Sequence, residues 1–189
     1  MPLRSGYLKT KRTTSVLATT KDSWSGLGIE GGLLEGVVDY GANKEVELAR
    51  EIAVAAHYNQ VDLAGEPYIQ HPEYVAAQQT TSKARAVAWL HDVLEDSAAY
   101  TPEVLKVAGV SDEVVEVVVL LTHVPGVPYE EYVERLRENE LASRVKISDL
   151  EHNMDVTRLS ILTGSAMKRV RKYHQAWRFL TDGWGRDSL

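Results

Sequence analysis

The chain has 189 residues, of which 44% are hydrophobic, with no cysteine and a formal net charge of −6. This length suits one domain with a sizeable core, and the lack of cysteine excludes disulfides, thiolate zinc sites and cysteine catalysis. The acidic balance disfavours a nucleic-acid-binding surface. No apolar run reaches the roughly 20 residues of a membrane span, and no signal-peptide core follows the first basic residues. We therefore expect a soluble, cytoplasmic protein without nucleic-acid or membrane partners.

The first 43 residues have no regular hydrophobic period and contain the run Gly-Leu-Gly-Ile-Glu-Gly-Gly at 26–32. Such a composition predicts an irregular N-terminal arm. We assign 1–43 to this extension, 44–182 to the folded domain and 183–189 to a C-terminal tail. Apolar residues at Trp24 and 33–38 suggest the hypothesis that the arm closes over the domain or mediates self-association into a homo-oligomer.

From Lys44 onward, hydrophobic residues recur at helical spacing, and no alternating strand pattern of convincing length occurs. The predicted fold class is all-α, a helical bundle. We predict helices over about 44–59, from Pro72, over the segment that carries His91, from Pro102, and over about 112–122, 129–136, 141–154 and 165–180. The residues predicted to cap helix N-termini are Ser82, Thr101 and Ser165.

Four side chains that bind metals or carry protons lie close together at 91–96, within an apolar, alanine-rich segment: His91, Asp92, Glu95 and Asp96. Ionised groups are costly to bury unless they are paired or coordinate a metal. If the segment is helical, His91 and Glu95 lie one turn apart, and so do Asp92 and Asp96. All four would then project over roughly one side of the helix, which predicts a functional site.

Three motifs follow one another along the chain: Pro-Tyr-Ile-Gln-His-Pro at 67–72, His-Asp-Val-Leu-Glu-Asp at 91–96, and Val-Lys-Ile-Ser-Asp-Leu-Glu-His-Asn-Met at 145–154. In this order they resemble those of the HD-domain metal phosphohydrolases, in particular the Rel/SpoT hydrolase domain and the stand-alone small alarmone hydrolases. The resemblance runs from about residue 44 to 154, and 171–177 resembles the closing helix of the small members. It implies an HD-domain bundle and a phosphoric ester hydrolase that removes the 3′-pyrophosphate of guanosine tetra- or pentaphosphate (ppGpp or pppGpp).

The resemblance also implies a single divalent ion, usually Mn²⁺ in this family, with the ligands His71, His91, Asp92 and Asp149. Two imidazoles and two carboxylates bind such an ion and leave positions open for water and a phosphate oxygen. The family pattern further implies that Glu95 and Asp96 orient the attacking water and handle the proton on the leaving oxygen.

The sequence also predicts contacts to the nucleotide substrate. Asn153 matches a family residue that contacts the substrate sugar, and Tyr68 belongs to the motif that lines the site. On sequence position alone, the candidates for neutralising phosphate charge are Lys83, Lys146 and Arg158.

None of the remaining histidines is assigned to the metal. His152 follows Asp149 by three residues on the same helix face, so it is a reserve ligand or a substrate contact. We expect His57 to pack near the site, and His123 and His174 to be solvated or to cap helices.

Two positions depart from the Rel/SpoT pattern. The loop 61–65 carries no positive charge where the long members have two basic residues, and Leu150-Glu151 stands where an arginine usually follows the aspartate. These departures leave two alternatives open: the same metal chemistry on another nucleotide, such as a 5′-nucleotide or NADPH, and a non-catalytic nucleotide-binding regulatory module. No motif residue is lost, which favours a hydrolase, and the chain is too short for the synthetase domain of the long members.

Overall fold

The structure of the chain, a computed structural model, describes residues 10–11 and 40–182. Its helices are α1 (Tyr40–Ala56), α2 (Gln70–Ala77), α3 (Ser82–Leu90), α4 (Val93–Asp96), α5 (Pro102–Ala108), α6 (Asp112–Leu121), α7 (Tyr129–Arg137), α8 (Glu140–Met154) and α9 (Gly164–Asp182), with a 3-10 turn at Val156–Arg158. The prediction of an all-α bundle is confirmed, including the valine-rich α6, whose β-branched residues alone would also suit a strand.

Two strands of two residues each occur in the described part of the chain. Strand β1 (Thr10–Lys11) pairs antiparallel with β2 (Gln60–Val61), so that Thr10 lies opposite Val61. The segments 1–9, 12–39 and 183–189 lie outside the described residues. Trp24 and 33–38 belong to them, so the proposed roles of the N-terminal arm in closure or self-association stay predictions.

The core is organised around α3, which packs against α1, α2, α6 and α8. Its residues Ala86, Val87 and Leu90 have no exposed surface. Helix α1 meets it through Ala49 and Ala53, which are also fully buried and lie one turn apart on one helix face. Small side chains on these faces bring the two helices close together, and α3 therefore delivers the residue after its last turn into the middle of the bundle.

The helix caps agree only in part with the sequence prediction. Thr101 caps α5 as expected, because its hydroxyl accepts a hydrogen bond from the amide three residues later. Helix α3 is capped in the same way by Thr81 and not by Ser82, and α9 by Thr163 and not by Ser165. In both cases a second hydroxyl residue lies within two positions, so composition alone does not distinguish the two.

The segment that carries His91 and Asp92 is a joint between two helices and not one continuous helix. Helix α3 ends at Leu90 and α4 begins at Val93. The Nδ1 atom of His91 lies 2.7 Å from the carbonyl oxygen of Ala88, so the ring takes the acceptor that the amide of Asp92 would use in a continuing helix. Both residues keep right-handed backbone angles, and the joint turns their side chains towards α2 and α8.

Candidate metal centre

Four side chains from three parts of the chain converge in the middle of the bundle. Helix α2 contributes His71, the α3–α4 joint contributes His91 and Asp92, and α8 contributes Asp149. The Nε2 atoms of the two histidines are 3.3 Å apart, and Nε2 of His91 is 3.3 Å from Oδ2 of Asp92. Such spacings suit ligands that share one ion at about 2.1 Å. The buried residues His71, His91 and Asp92 could therefore bind a divalent metal ion.

Asp149 lies beside this group, closer to His71 than to His91. Its Oδ1 atom is 3.0 Å from Nε2 of His71 and 3.9 Å from Nε2 of His91. Its other oxygen lies 2.7 Å from Nζ of Lys146. Burial opposes ionisation of Asp149, but Lys146 and the two imidazoles outweigh it and hold the pKa of this carboxyl below its usual range. Asp149 is thus an ionised carboxylate beside the cluster of His71, His91 and Asp92.

The electrostatics of the centre favour a positive charge. Burial opposes the charged form of His91, but the carboxylates of Asp92 and Asp149 outweigh it and raise the pKa of His91 to about 9. Two carboxylates and two imidazoles packed away from water are stable when a proton or a metal cation lies among them. The donor set consists of nitrogen and carboxylate oxygen, which fits a borderline or hard divalent ion.

A second layer of side chains fixes the orientation of these groups. The hydroxyl of Tyr68 donates a hydrogen bond to Oδ2 of Asp92. Burial, and then Asp92, raise the pKa of Tyr68, so its hydroxyl stays protonated. The amide of Asn153 donates to Oδ1 of Asp149. The two predicted substrate contacts, Tyr68 and Asn153, therefore also position the carboxylates of the centre.

His152 lies behind His71 and not among the converging ligand atoms. Its ring stacks between Tyr74, at 4.2 Å between centroids, and His71, at 5.0 Å. Its Nδ1 atom lies 2.7 Å from Nδ1 of His71 and 3.1 Å from Nη1 of Arg158. Burial, and then the neighbouring His71 and Arg158, lower the pKa of His152 to about 3. His152 is thus a neutral partner of His71.

The acidic pair that follows the metal ligands is held at two different places. Oδ2 of Asp96 accepts a hydrogen bond of 3.1 Å from Gln60, and the Oε1 atom of Gln60 lies 2.9 Å from Nδ1 of His57. Oε1 of Glu95 accepts one of 2.6 Å from the backbone amide of His123. Neither Gln60 nor this amide was predictable from the sequence, because the contacts join residues 36 and 28 positions apart.

The other two histidines differ from each other. His123 is half-buried, with its Nε2 atom 2.8 Å from the carbonyl of Val127 and its ring 4.9 Å from that of Tyr132. The expectation that it is solvated or caps a helix is wrong, because it packs at the start of α7. His174 stacks beside Trp177 and is exposed, which agrees with the expectation that it is solvated.

Of the three cations proposed to neutralise phosphate charge, the structure brings two near the centre. Lys146 contacts Asp149, as described above. Arg158 lies behind His152, and its Nη2 atom is 2.6 Å from Oδ2 of the buried Asp62. Lys83 instead forms a surface ion pair with Glu113, and its role towards phosphate stays a prediction.

A cavity opens beside the centre, between the 62–64 loop, the end of α8 and α9. It adjoins the metal centre because Asn153 both lines it and donates to Asp149. The residues that line it include Leu63, Asn153, Arg158, Arg169, Val170 and Tyr173. Its wall thus combines two guanidinium groups, the carboxylates of Asp62 and Asp155, an amide and an aromatic ring.

Comparison with known proteins supports a hydrolase. No family model matches the chain, so the HD-domain assignment stays a prediction from the three motifs. The chain is 30% identical over 146 residues to guanosine-3′,5′-bis(diphosphate) 3′-pyrophosphohydrolase of Borreliella burgdorferi. The match covers 68% of this chain and 21% of that protein, so the chain spans about one fifth of the relative's length.

Within the described residues, no helix is both long and apolar enough to cross a bilayer. The chain is thus similar over part of its length to a pyrophosphohydrolase, and the buried His and Asp cluster is compatible with metal binding.

Proposed function

We propose that the chain is a Mn²⁺-dependent phosphohydrolase that removes the 3′-pyrophosphate of guanosine tetra- or pentaphosphate. The products are pyrophosphate and GDP or GTP. The proposal rests on the convergence of His71, His91, Asp92 and Asp149, whose side chains come from segments far apart in the sequence. The 30% identity to a 3′-pyrophosphohydrolase supports the choice of reaction.

The four ligands define where the reaction takes place. A divalent ion held by them would supply Lewis-acid polarisation of the phosphate ester and lower the pKa of a water molecule. The chain's own contribution is orientation: Tyr68 holds Asp92, Asn153 holds Asp149, and His152 holds the ring of His71. Such outer contacts keep the ligand atoms in place while a substrate enters.

Proton transfer is assigned to the acidic pair. The oxygen of water forms a bond to the phosphorus next to the ribose 3′-oxygen, and the bond from that phosphorus to the 3′-oxygen breaks. Water loses a proton and the 3′-oxygen gains one, and Glu95 and Asp96 are the carboxyl groups assigned to these transfers. Gln60 and the amide of His123 hold the two carboxylates in place.

Substrate binding is assigned to the cavity beside the centre and to Lys146. The nucleoside would lie at the mouth of this small cavity, with Asn153 at the sugar. The loop 61–65 has no positive charge, and its Asp62 pairs with Arg158, so Arg169 is the guanidinium in the cavity wall that we assign to phosphate. Phosphate groups are bound well by guanidinium donors. The substrate is therefore a small nucleotide and not a nucleic acid.

The test is pyrophosphate release from guanosine tetraphosphate by the full chain with Mn²⁺, with a chelator as control. We expect chelator-sensitive release that is lost in Asp92→Asn. The matched control is Asp112→Asn, which removes an exposed carboxylate paired with Lys106 on the surface. Absence of release from folded, metal-loaded protein would overturn the alarmone as substrate.

A second candidate is the same chemistry on another nucleotide. The observation that favours it is the ion pair between Asp62 and Arg158, because it places a carboxylate where the long Rel/SpoT proteins have a basic residue. The same assay on 5′-nucleotides and NADPH distinguishes the two. Faster metal-dependent turnover of one of these compounds would replace the alarmone in the proposal.

A further inference from the structure

A group of basic and aromatic side chains lies beside Asp149, where α7 and α9 both pack against α8. We propose that Tyr129 and Lys172 form a binding site for the outer phosphate of a diphosphate substrate whose inner phosphate lies at the metal centre. This proposal rests on the proposed hydrolase function and adds to it the residues that recognise a diphosphate. Neither residue was identified as a site residue from the sequence.

The first observation concerns Lys172 on α9. Its Nζ atom lies 4.1 Å from the ring centroid of Tyr129 and 5.1 Å from that of Tyr173. The side chain is half-buried, and among residues 40–182 no carboxylate lies within ion-pair distance of it. Contacts with ring faces compensate an ammonium group only in part. A partly desolvated cation without a carboxylate partner is a place where an anion binds favourably.

The second observation concerns the hydroxyl of Tyr129, the first residue of α7. This oxygen is buried and has no hydrogen-bond partner among the described residues. Buried hydroxyl groups are paired in most proteins, and an orphan calls for a specific explanation such as a ligand. The Lys172 ammonium lies over the face of the same ring. A phosphate oxygen between the two groups would accept from both.

The third observation is that this pair is continuous with the metal centre. The ring centroid of Tyr129 lies 5.9 Å from that of Tyr132. The Nζ atom of Lys146 lies 5.3 Å from the Tyr132 centroid and 2.7 Å from Oδ2 of Asp149. These contacts connect Tyr129 to Asp149 through Tyr132 and Lys146, and we place the second phosphate of the diphosphate on the Tyr129 side of Lys146.

The local charges favour phosphate as the ligand. Burial, and then the positive charges of Lys146 and Arg169, lower the pKa of Lys172, while Glu130 alone opposes them. The three cations therefore repel one another in a partly buried place. A dianionic phosphate among them would remove that repulsion, and lysine is a common phosphate-binding residue.

The experiment measures binding of pyrophosphate and of orthophosphate to the full, Mn²⁺-loaded chain by isothermal titration calorimetry, with equal free Mn²⁺ in cell and syringe. We expect Lys172→Gln to weaken pyrophosphate about tenfold and to leave orthophosphate within about twofold. Tyr129→Phe, which removes only the hydroxyl, should weaken pyrophosphate about threefold. The matched control, Lys168→Gln, removes an exposed lysine one turn earlier on α9 and should change neither affinity.

Equal effects of Lys172→Gln on both anions, or no effect on either, would overturn the proposal. A thermal unfolding curve checks that each variant folds. If Lys172→Gln does not fold, the result for Tyr129→Phe alone decides the test. If the chain hydrolyses guanosine tetraphosphate but Lys172→Gln does not weaken pyrophosphate binding, only this inference is wrong. If Lys172→Gln weakens pyrophosphate binding but the chain does not hydrolyse guanosine tetraphosphate, only the proposed reaction is wrong.

Discussion

The two ring nitrogens of His71 face different partners: Nε2 lies 3.0 Å from Asp149, and Nδ1 lies 2.7 Å from Nδ1 of His152. His152 is neutral, because burial, and then the neighbouring His71 and Arg158, lower its pKa to about 3. Its Nδ1 atom can therefore accept a hydrogen bond from the Nδ1–H of His71, and the Nε2 atom of His71 then carries no proton and can bind a metal. Hydrogen bonds of this kind set both the tautomer and the angle of a ligating ring.

We predict that His152→Ala weakens Mn²⁺ binding by about tenfold or more, because the ring of His71 loses the partner that orients it. Equilibrium dialysis of the metal against the variant measures the effect. His174→Ala, which removes an exposed histidine from α9, is the control and should bind as the wild type does. An unchanged dissociation constant in His152→Ala would show that the contact has no orienting role.

Metal binding should also appear as stability, because the four ligands come together only in the folded chain. At a free Mn²⁺ concentration a hundredfold above Kd, we expect a gain of about 2.7 kcal/mol. For a chain of this size this corresponds to a rise in Tm of roughly 5–10 °C. Differential scanning calorimetry with Mn²⁺ and with chelator measures it.

Asp92→Asn separates this effect from non-specific ion binding. Because the variant lacks one carboxylate of the cluster, its Tm should be nearly the same with metal and with chelator. Asp112→Asn, the surface control, should keep the full difference. A metal-dependent rise in Asp92→Asn as large as in the wild type would mean that the ion binds elsewhere.

The helices were predictable from the sequence because their apolar residues recur with the helical period, as in α7, whose buried residues are Tyr132, Val133 and Leu136. The joint at His91 was not, since it depends on a ring that bonds the carbonyl of Ala88 and turns towards two other helices. Periodicity shows which face of a helix is buried. It does not show where a side chain replaces a backbone hydrogen bond and ends the helix.

For the site, motif resemblance predicted the residues that converge, whereas their supports could not be predicted. The pairs Gln60 with Asp96 and Asp62 with Arg158 join residues 36 and 96 positions apart. Tertiary packing alone brings such residues together. The same holds for the ring of Tyr129 under the ammonium of Lys172, which lies on another helix.

The pair of Asp62 and Arg158 should show an asymmetry in unfolding experiments. The Asp62 side chain is 3% exposed and that of Arg158 is 21% exposed. Arg158→Gln leaves a buried carboxylate without its cation, and we expect a loss of about 2 kcal/mol. Asp62→Asn keeps an oxygen for the amides of Ala64 and Glu66, so it should cost about 1 kcal/mol.

Urea unfolding of both variants and of the double variant completes a thermodynamic cycle. We expect the double variant to lose less than the two single losses combined, because the second substitution removes the charge that the first left unpaired. Additive losses would show that the two groups do not interact in solution. Arg144→Gln, whose partner Glu140 is exposed, should cost under 1 kcal/mol and serves as the control.

Gln60 offers a test of the acidic pair that leaves the metal ligands unchanged. Its amide donates to Asp96, and its carbonyl oxygen contacts His57, so it fixes the position of the carboxylate. In Gln60→Ala we expect kcat for pyrophosphate release to fall about tenfold or more, because a misplaced proton-transfer group loses most of its benefit.

The Kd for Mn²⁺ should stay within about twofold in Gln60→Ala, since the side chain of Gln60 bonds to Asp96 and contacts His57, neither of which is a proposed ligand. Steady-state kinetics and equilibrium dialysis on one preparation give both values. The exposed Gln78→Ala should change neither. A parallel loss of kcat and metal affinity would instead make Gln60 a support of the metal site, and an unchanged kcat would remove Asp96 from the proton-transfer step.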